Sequence, residues 1–205
     1  MAIVEVESKF LLSPEQRHTL LSRVRGGTLT SFSDIYYDKR NYALTSRDWW
    51  LRRRGGGMWK LKVGHSGPKE TSTVYEEVTG ERAIARLLNI SLDGGRFEHE
   101  LQAHGYCSLV ELITHRRTYM AGDFSVTTDS VSADCDAFSY EICEIELLVP
   151  EGERDRAQAR IAAYARELGF TPAPVRGKLI EYLWRHRKPH FDLLVERGVI
   201  DPALL

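Results

Sequence analysis

Glu5, Glu7 and Lys9 alternate with Val4, Val6 and Phe10 in the segment Ile3-Val4-Glu5-Val6-Glu7-Ser8-Lys9-Phe10. In a strand, alternate residues share a face. Two carboxylates and an ammonium therefore project together while the apolar side chains project the other way. Such a face makes a poor core and suits a site that holds a metal ion and an anion at once. The device recurs. Arg52 and Arg54 share a face in Trp50-Leu51-Arg52-Arg53-Arg54, and Lys60 and Lys62 do so in Trp59-Lys60-Leu61-Lys62. Glu77 falls on the face of Tyr75, Arg116 on that of Thr114, and Asp129 ends Phe124-Ser125-Val126-Thr127-Thr128-Asp129. Glu144 and Glu146 alternate with Cys143, Ile145 and Leu147. One such pair is an ordinary solvated strand face. Repetition along the chain points instead to charged faces gathered around an interior, with apolar faces turned outward beneath helices.

The acidic set is Glu5, Glu7, Glu77, Asp129, Glu144 and Glu146; the basic set is Lys9, Arg52, Arg54, Lys60, Lys62 and Arg116. Bases alone would suit a simple anion, and acids alone a hard cation. Both together suit a magnesium or manganese polyphosphate, because carboxylate oxygens ligate hard ions while guanidinium groups grip phosphate oxygens in pairs. Charges of this kind are costly to desolvate unpaired. The interior must be wet, filled by ligand, or cross-paired.

The elements that position these residues follow from pattern and punctuation. Ser13-Pro14-Glu15-Gln16 carries an N-cap, a first-turn proline and the far half of a capping box, and Gly26-Gly27 stops the helix. Strands are expected over 3–10, 28–38, 49–54, 58–63, 73–78, 109–119, 122–129 and 140–149, with a hairpin turn at Gly55-Gly56-Gly57. Short helices are expected over 80–89 and 94–104, and a longer one over 153–168, where Ala157, Ile161, Tyr164 and Leu168 share a face before Gly169. Thr171-Pro172-Ala173-Pro174 reads as a rigid connector. The tail 178–197 reads as helix, interrupted at Pro189. This is an antiparallel α+β pattern with enough strands to curl or close.

With 205 residues and a net charge of −1, the chain is expected to form a single domain, 1–205, with no global field toward nucleic acid or membrane. No apolar run is long enough to span a bilayer, and the N-terminus lacks a signal-peptide layout. Cys107, Cys135 and Cys143 lack paired spacing and read as reduced thiols of a cytoplasmic protein. Gly55-Gly56-Gly57 is no phosphate loop, since no Gly-Lys-Ser/Thr follows it. His186 and His190 have helical spacing but no zinc-binding pattern around them.

At these residues the chain resembles the CYTH superfamily, the triphosphate tunnel metalloenzymes. Glu5-Val6-Glu7-Ser8-Lys9 matches the ExExK signature. Tyr36-Tyr37-Asp38, Trp50-Leu51-Arg52-Arg53-Arg54, Trp59-Lys60-Leu61-Lys62, Tyr75-Glu76-Glu77, Thr114-His115-Arg116, Asp129, Glu144-Ile145-Glu146 and Gly177-Lys178-Leu179-Ile180-Glu181-Tyr182-Leu183 follow in the family's order. Within the superfamily it is most similar to the animal-type thiamine triphosphatases. The resemblance implies a closed eight-stranded antiparallel β-barrel, a tunnel with a charged interior and helices packed outside. It implies hydrolysis of thiamine triphosphate with Mg2+, or Mn2+, in a cytoplasmic monomer that takes a small-molecule triphosphate. Inorganic triphosphate hydrolysis, a class IV-type adenylate cyclase and a non-catalytic polyphosphate-binding module are the alternatives. By position, Lys9, Arg52, Arg54, Lys62, Arg116 and Lys178 resemble the phosphate-binding set. Glu5, Glu7, Asp129, Glu144 and Glu146 resemble the metal set, with Glu77 either joining it or orienting basic groups; Lys9 and Tyr36 resemble a catalytic pair, and Trp50 the platform for the substrate's aromatic head. The mechanism this suggests has as base either Lys9, if neighbouring cations depress its pKa, acting through Tyr36, or a glutamate. The chain departs from the family at Thr127, where the animal enzymes carry an aspartate, and in a longer, mobile loop between Asp129 and Glu144.

Overall fold

The computed structural model describes residues 3–55, 57–64, 75–133, 137–171 and 173–204. In chain order the elements are β1 (Ile3–Phe10), α1 (Pro14–Arg23), β2 (Thr28–Lys39), β3 (Trp49–Arg54), β4 (Met58–Gly64), β5 (Tyr75–Thr79), α2 (Glu81–Leu88), α3 (Phe97–Ala103), β6 (Tyr106–Ala121), β7 (Phe124–Ala133), β8 (Ser139–Pro150), α4 (Arg154–Glu167), α5 (Lys178–His186) and α6 (Lys188–Glu196). The eight strands form one sheet in the order β1-β8-β7-β6-β2-β3-β4-β5, with antiparallel pairing along its ladders. The class is the expected α+β. No helix among the described residues is long and apolar enough to cross a membrane.

The chain divides into two compact units, each assembled from separate segments. In the first, Val6 and Phe10 of β1 and Cys143, Ile145, Leu147 and Val149 of β8 form the apolar face of a ladder, buried beneath Ala157, Ile161 and Ala165 of α4. The charged residues of both strands lie on the other face by strand alternation. Helix α1 joins this core through Leu20, which is fully buried. Its start is the expected capping box: Gln16 N–H donates to Ser13 Oγ at 3.2 Å, and Ser13 N–H donates to Gln16 Oε1 at 2.9 Å.

In the second unit, Leu51, Trp59 and Leu61 face Ile84 and Ala85 of α2 and Phe97 and Leu101 of α3. Burial of these large side chains contributes on the order of 1.5–3 kcal/mol each. Trp50, Arg52, Arg54, Lys60 and Lys62 project from the opposite face of the same strands, in the register Trp50↔Lys62 and Arg52↔Lys60.

Several boundaries differ from expectation. β7 starts at Phe124 because Gly122, at φ 62, makes the turn after β6. Residues 130–132, expected in a loop, continue the ladder as Ser130↔Glu141, Val131↔Tyr140 and Ser132↔Ser139. The remainder of that loop at 134–136, including Cys135, lies outside the described residues, as do the expected strand positions 73 and 74. β6 begins at Tyr106 rather than 109, because the buried Tyr106 ring belongs to the second core. Pro189 falls in the first turn of α6, where its missing N–H leaves no helical bond unmade.

Candidate active site

The first unit sorts its charges along neighbouring strands. The β1–β8 register sets Glu7 opposite Glu146 and Lys9 opposite Glu144, while Ser125 and Thr127 of β7 stand opposite Glu146 and Glu144. Carboxylate oxygens of Glu5, Glu7 and Glu146 lie within 4.8 Å of one another. Burial, with Glu5 and Glu144 close by, pushes the Glu146 carboxyl up to about 7. An all-oxygen donor set under mutual repulsion is chemistry that fits a hard divalent ion. Lys9 pairs with Glu7. Burial opposes its charge, but Glu7, Glu144 and Glu146 together hold its pKa above the ordinary lysine value. Its neighbours are thus carboxylates, and the expected depression by cations is not what this environment produces.

Asp129 and Glu144 are already engaged. Arg116 donates to both oxygens of Asp129 at 2.8 Å and to Glu144 at 3.0 Å, and Lys178 donates to Asp129 at 2.6 Å. Burial works against the Asp129 charge, yet these partners hold its pKa below the usual carboxylate range. The acidic residues therefore divide into a carboxylate cluster and an ion-paired group. Thr127, 2 % exposed, stands opposite Glu144 with its hydroxyl turned to no hydrogen-bond partner among the described residues.

The second unit gathers cations. Arg54 donates to both oxygens of Asp34 at 2.8 and 2.7 Å and lies over the Phe32 ring at 4.1 Å. Arg52 reaches Asp34 and Glu77, each at 3.5 Å. Lys60 donates to Glu77 at 2.5 Å. Glu77, for which the resemblance left open a place with the metal ligands or a role in orienting basic groups, is here a partner of Lys60 and Arg52, which hold its pKa low against the cost of burial. Burial raises the Tyr36 pKa despite the opposing effect of Arg52, which donates a hydrogen bond to the phenol oxygen, so the phenol keeps its proton at neutral pH. Trp50 is 9 % exposed, and its Nε1–H donates to Asp48 Oδ1 at 2.8 Å.

Of the three ways to accommodate these charges, cross-pairing is extensive. Asp34 was missed from the sequence, although it lies two residues from Tyr36 on the same strand and the period-two argument reaches it. Asp48 was missed because it sits in a turn, where alternation carries no information. A cavity of about 290 Å³ on the apolar side of the second unit is a weaker candidate. Its walls are bonded to each other, Tyr37 to Glu98 at 2.6 Å and Arg53 to Glu98 at 2.7 Å.

Charged strand faces set against helix-covered apolar ones define a class of protein. The model of the CYTH domain matches residues 4–172, and the chain belongs to the CYTH family. It is 33 % identical to the thiamine-triphosphatase of Homo sapiens, over 95 % of this chain and 90 % of that protein. It is 32 % identical to that of Macaca fascicularis over the same shares. Among solved structures, a protein from Pyrococcus horikoshii matches 89 % of this chain and 100 % of its own at a TM-score of 0.66, with 21 % identity.

Proposed function

We propose that this chain, as one catalytic domain over 1–205, hydrolyses thiamine triphosphate to thiamine diphosphate and phosphate with a divalent cation, magnesium or manganese. One observation carries the reading. In a chain 33 % identical to a thiamine-triphosphatase along nearly its whole length, the Glu5, Glu7 and Glu146 carboxylates converge within 4.8 Å on a face turned away from the core.

Glu5, Glu7 and Glu146 would hold the ion, with Glu144 and Asp129 behind them orienting Arg116 and Lys178. When bound, the ion supplies positive charge to phosphate oxygens and acidifies a coordinated water. Arg52, Arg54, Lys62, Arg116 and Lys178 take phosphate oxygens, and their fixed positive charge stabilises the charge that spreads over the transferring group. Several of these cations are bound to Asp34, Glu77 and Asp129; the carboxylates hold them in place, and a phosphate shares or replaces the partner. Lys9 and Tyr36 are the residues to which we assign proton handling, Tyr36 as a donor. Trp50 receives the aromatic head. The reading also takes the protein to be a cytoplasmic monomer.

The test is a side-by-side turnover panel of thiamine triphosphate, tripolyphosphate and ATP in magnesium and in manganese, with wild type and Trp50→Ala. Phosphate release from thiamine triphosphate, weakened far more by Trp50→Ala than release from tripolyphosphate, supports it. A cyclic product from ATP, or no turnover of any substrate, overturns it.

A further inference from the structure

Asp48 occupies a left-handed backbone position, φ 61 and ψ 34. Glycine fits such a position without strain, and aspartate is among the few other residues that adopt it, at a small cost. Asp48 has a carboxylate, and its surroundings are built around it. Its N–H donates to Thr45 O at 3.0 Å and its carbonyl accepts from Gly64 N–H at 2.9 Å. The turn before it is held from beneath: Asp38 accepts from the N–H groups of Leu44 and Thr45 at 2.9 and 2.8 Å. Gly64 leaves the carboxylate its space, since a Cβ there would stand 2.3 Å from Asp48 Oδ2. The backbone on both sides of Asp48 is thus fixed, and with it the position of the carboxylate.

One partner of the carboxylate is the indole of Trp50, through the 2.8 Å bond from Nε1–H to Oδ1. Trp50 lies opposite Lys62 and two residues from Arg52 on the same strand face. An aromatic ring beside phosphate-binding cations suits a polyphosphate that carries an aromatic group. A carboxylate bonded to the indole N–H fixes the ring's orientation and pushes electron density into it. That strengthens the attraction of its face for a positive charge and gives nothing to a neutral base.

We propose that Asp48 is a positioning residue that sets head-group specificity through Trp50, selecting triphosphates with a positively charged aromatic head over neutral nucleotides and bare polyphosphate. The inference rests on the proposed function above, in which Trp50 receives the head.

Two variants test it. Asp48→Gly keeps the backbone conformation and removes the carboxylate. Asp48→Asn keeps an acceptor for the indole N–H and removes the charge. KM and kcat are measured for thiamine triphosphate, tripolyphosphate and ATP. The expected result is a KM for thiamine triphosphate raised about 5- to 10-fold in Asp48→Gly and less in Asp48→Asn, while KM for tripolyphosphate moves by less than about twofold and ATP gains relative to thiamine triphosphate. Equal losses on both phosphate substrates would assign Asp48 a purely structural role and overturn the proposal, as would unchanged KM values throughout. Wild-type protein that turns over tripolyphosphate but not thiamine triphosphate would overturn the proposed function instead, and is recognised before any variant is made.

Discussion

Arg54 grips Asp34 through both arms of its guanidinium, at 2.8 and 2.7 Å, and Asp34 is 3 % exposed. The most basic strand of the chain is therefore tethered by an acid on its neighbour, two residue pairs along from Tyr36↔Arg52. Without that tether, Arg54 would be free to point elsewhere; with it, the guanidinium is held in one orientation.

Asp34→Ala should lower stability by about 3 kcal/mol, the lower end for breaking a buried pair, because Arg54 retains some solvent. Urea unfolding measures it. Replacing both residues, as Asp34→Asn with Arg54→Gln, should recover part of the loss; no recovery would show that the pair is not the source.

Glu7→Gln should reduce turnover about tenfold or more with far-ultraviolet circular dichroism unchanged. Arg54→Ala should reduce turnover as much and also lower the unfolding midpoint, since the buried Asp34 loses its two short bonds and keeps only the 3.5 Å contact with Arg52. Near-normal turnover in both variants would remove these residues from the site.

Glu146→Gln should weaken Mn2+ binding about tenfold or more, read by calorimetry without substrate. Asp129→Asn should affect it less, because Asp129 already answers Arg116 and Lys178. The reverse ranking would move the ion to the ion-paired group. Chelation should abolish turnover and leave the fold in place.

His190 should make stability sensitive to mild acid. Burial lowers its pKa from 6.5 to about 4, with Asp38 pulling the other way. At pH 7 the ring is neutral in both folded and unfolded chains. Below about 6.5 the unfolded chain takes up a proton that the folded one refuses until about 4, so stability falls across that window by up to about 3 kcal/mol. Urea titrations at pH 7 and pH 4.5 on wild type and His190→Gln check this; equal pH dependence in the two would exclude His190.

Cys143 should resist alkylation in the folded protein, since burial beside Glu144 pushes its thiol up to about 12. Cys107 is exposed and should react. Peptide mapping after iodoacetamide at pH 8 distinguishes them, and prompt labelling of Cys143 would contradict its burial.

Much of the site was legible before any coordinates because a strand repeats every two residues. Glu5, Glu7 and Lys9 could only share a face, as could Arg52 with Arg54 and Glu144 with Glu146, and Ser13 with Gln16 could only open a helix. These are local consequences of backbone geometry. Two relationships were out of reach. The division of the acids, with Glu5, Glu7 and Glu146 clustered while Asp129 serves Arg116 and Lys178, depends on strand register, which side-chain type does not encode. The turn that carries Asp48 is held by Asp38 through Thr45, whose hydroxyl donates to Asp38 at 2.7 Å and so accepts from His190 Nε2–H at 2.8 Å across 145 residues. Alternation determined which residues share the charged faces; long-range packing decided which of them meet, because the free energy that selects one pairing over another comes from burial and desolvation shared among distant segments.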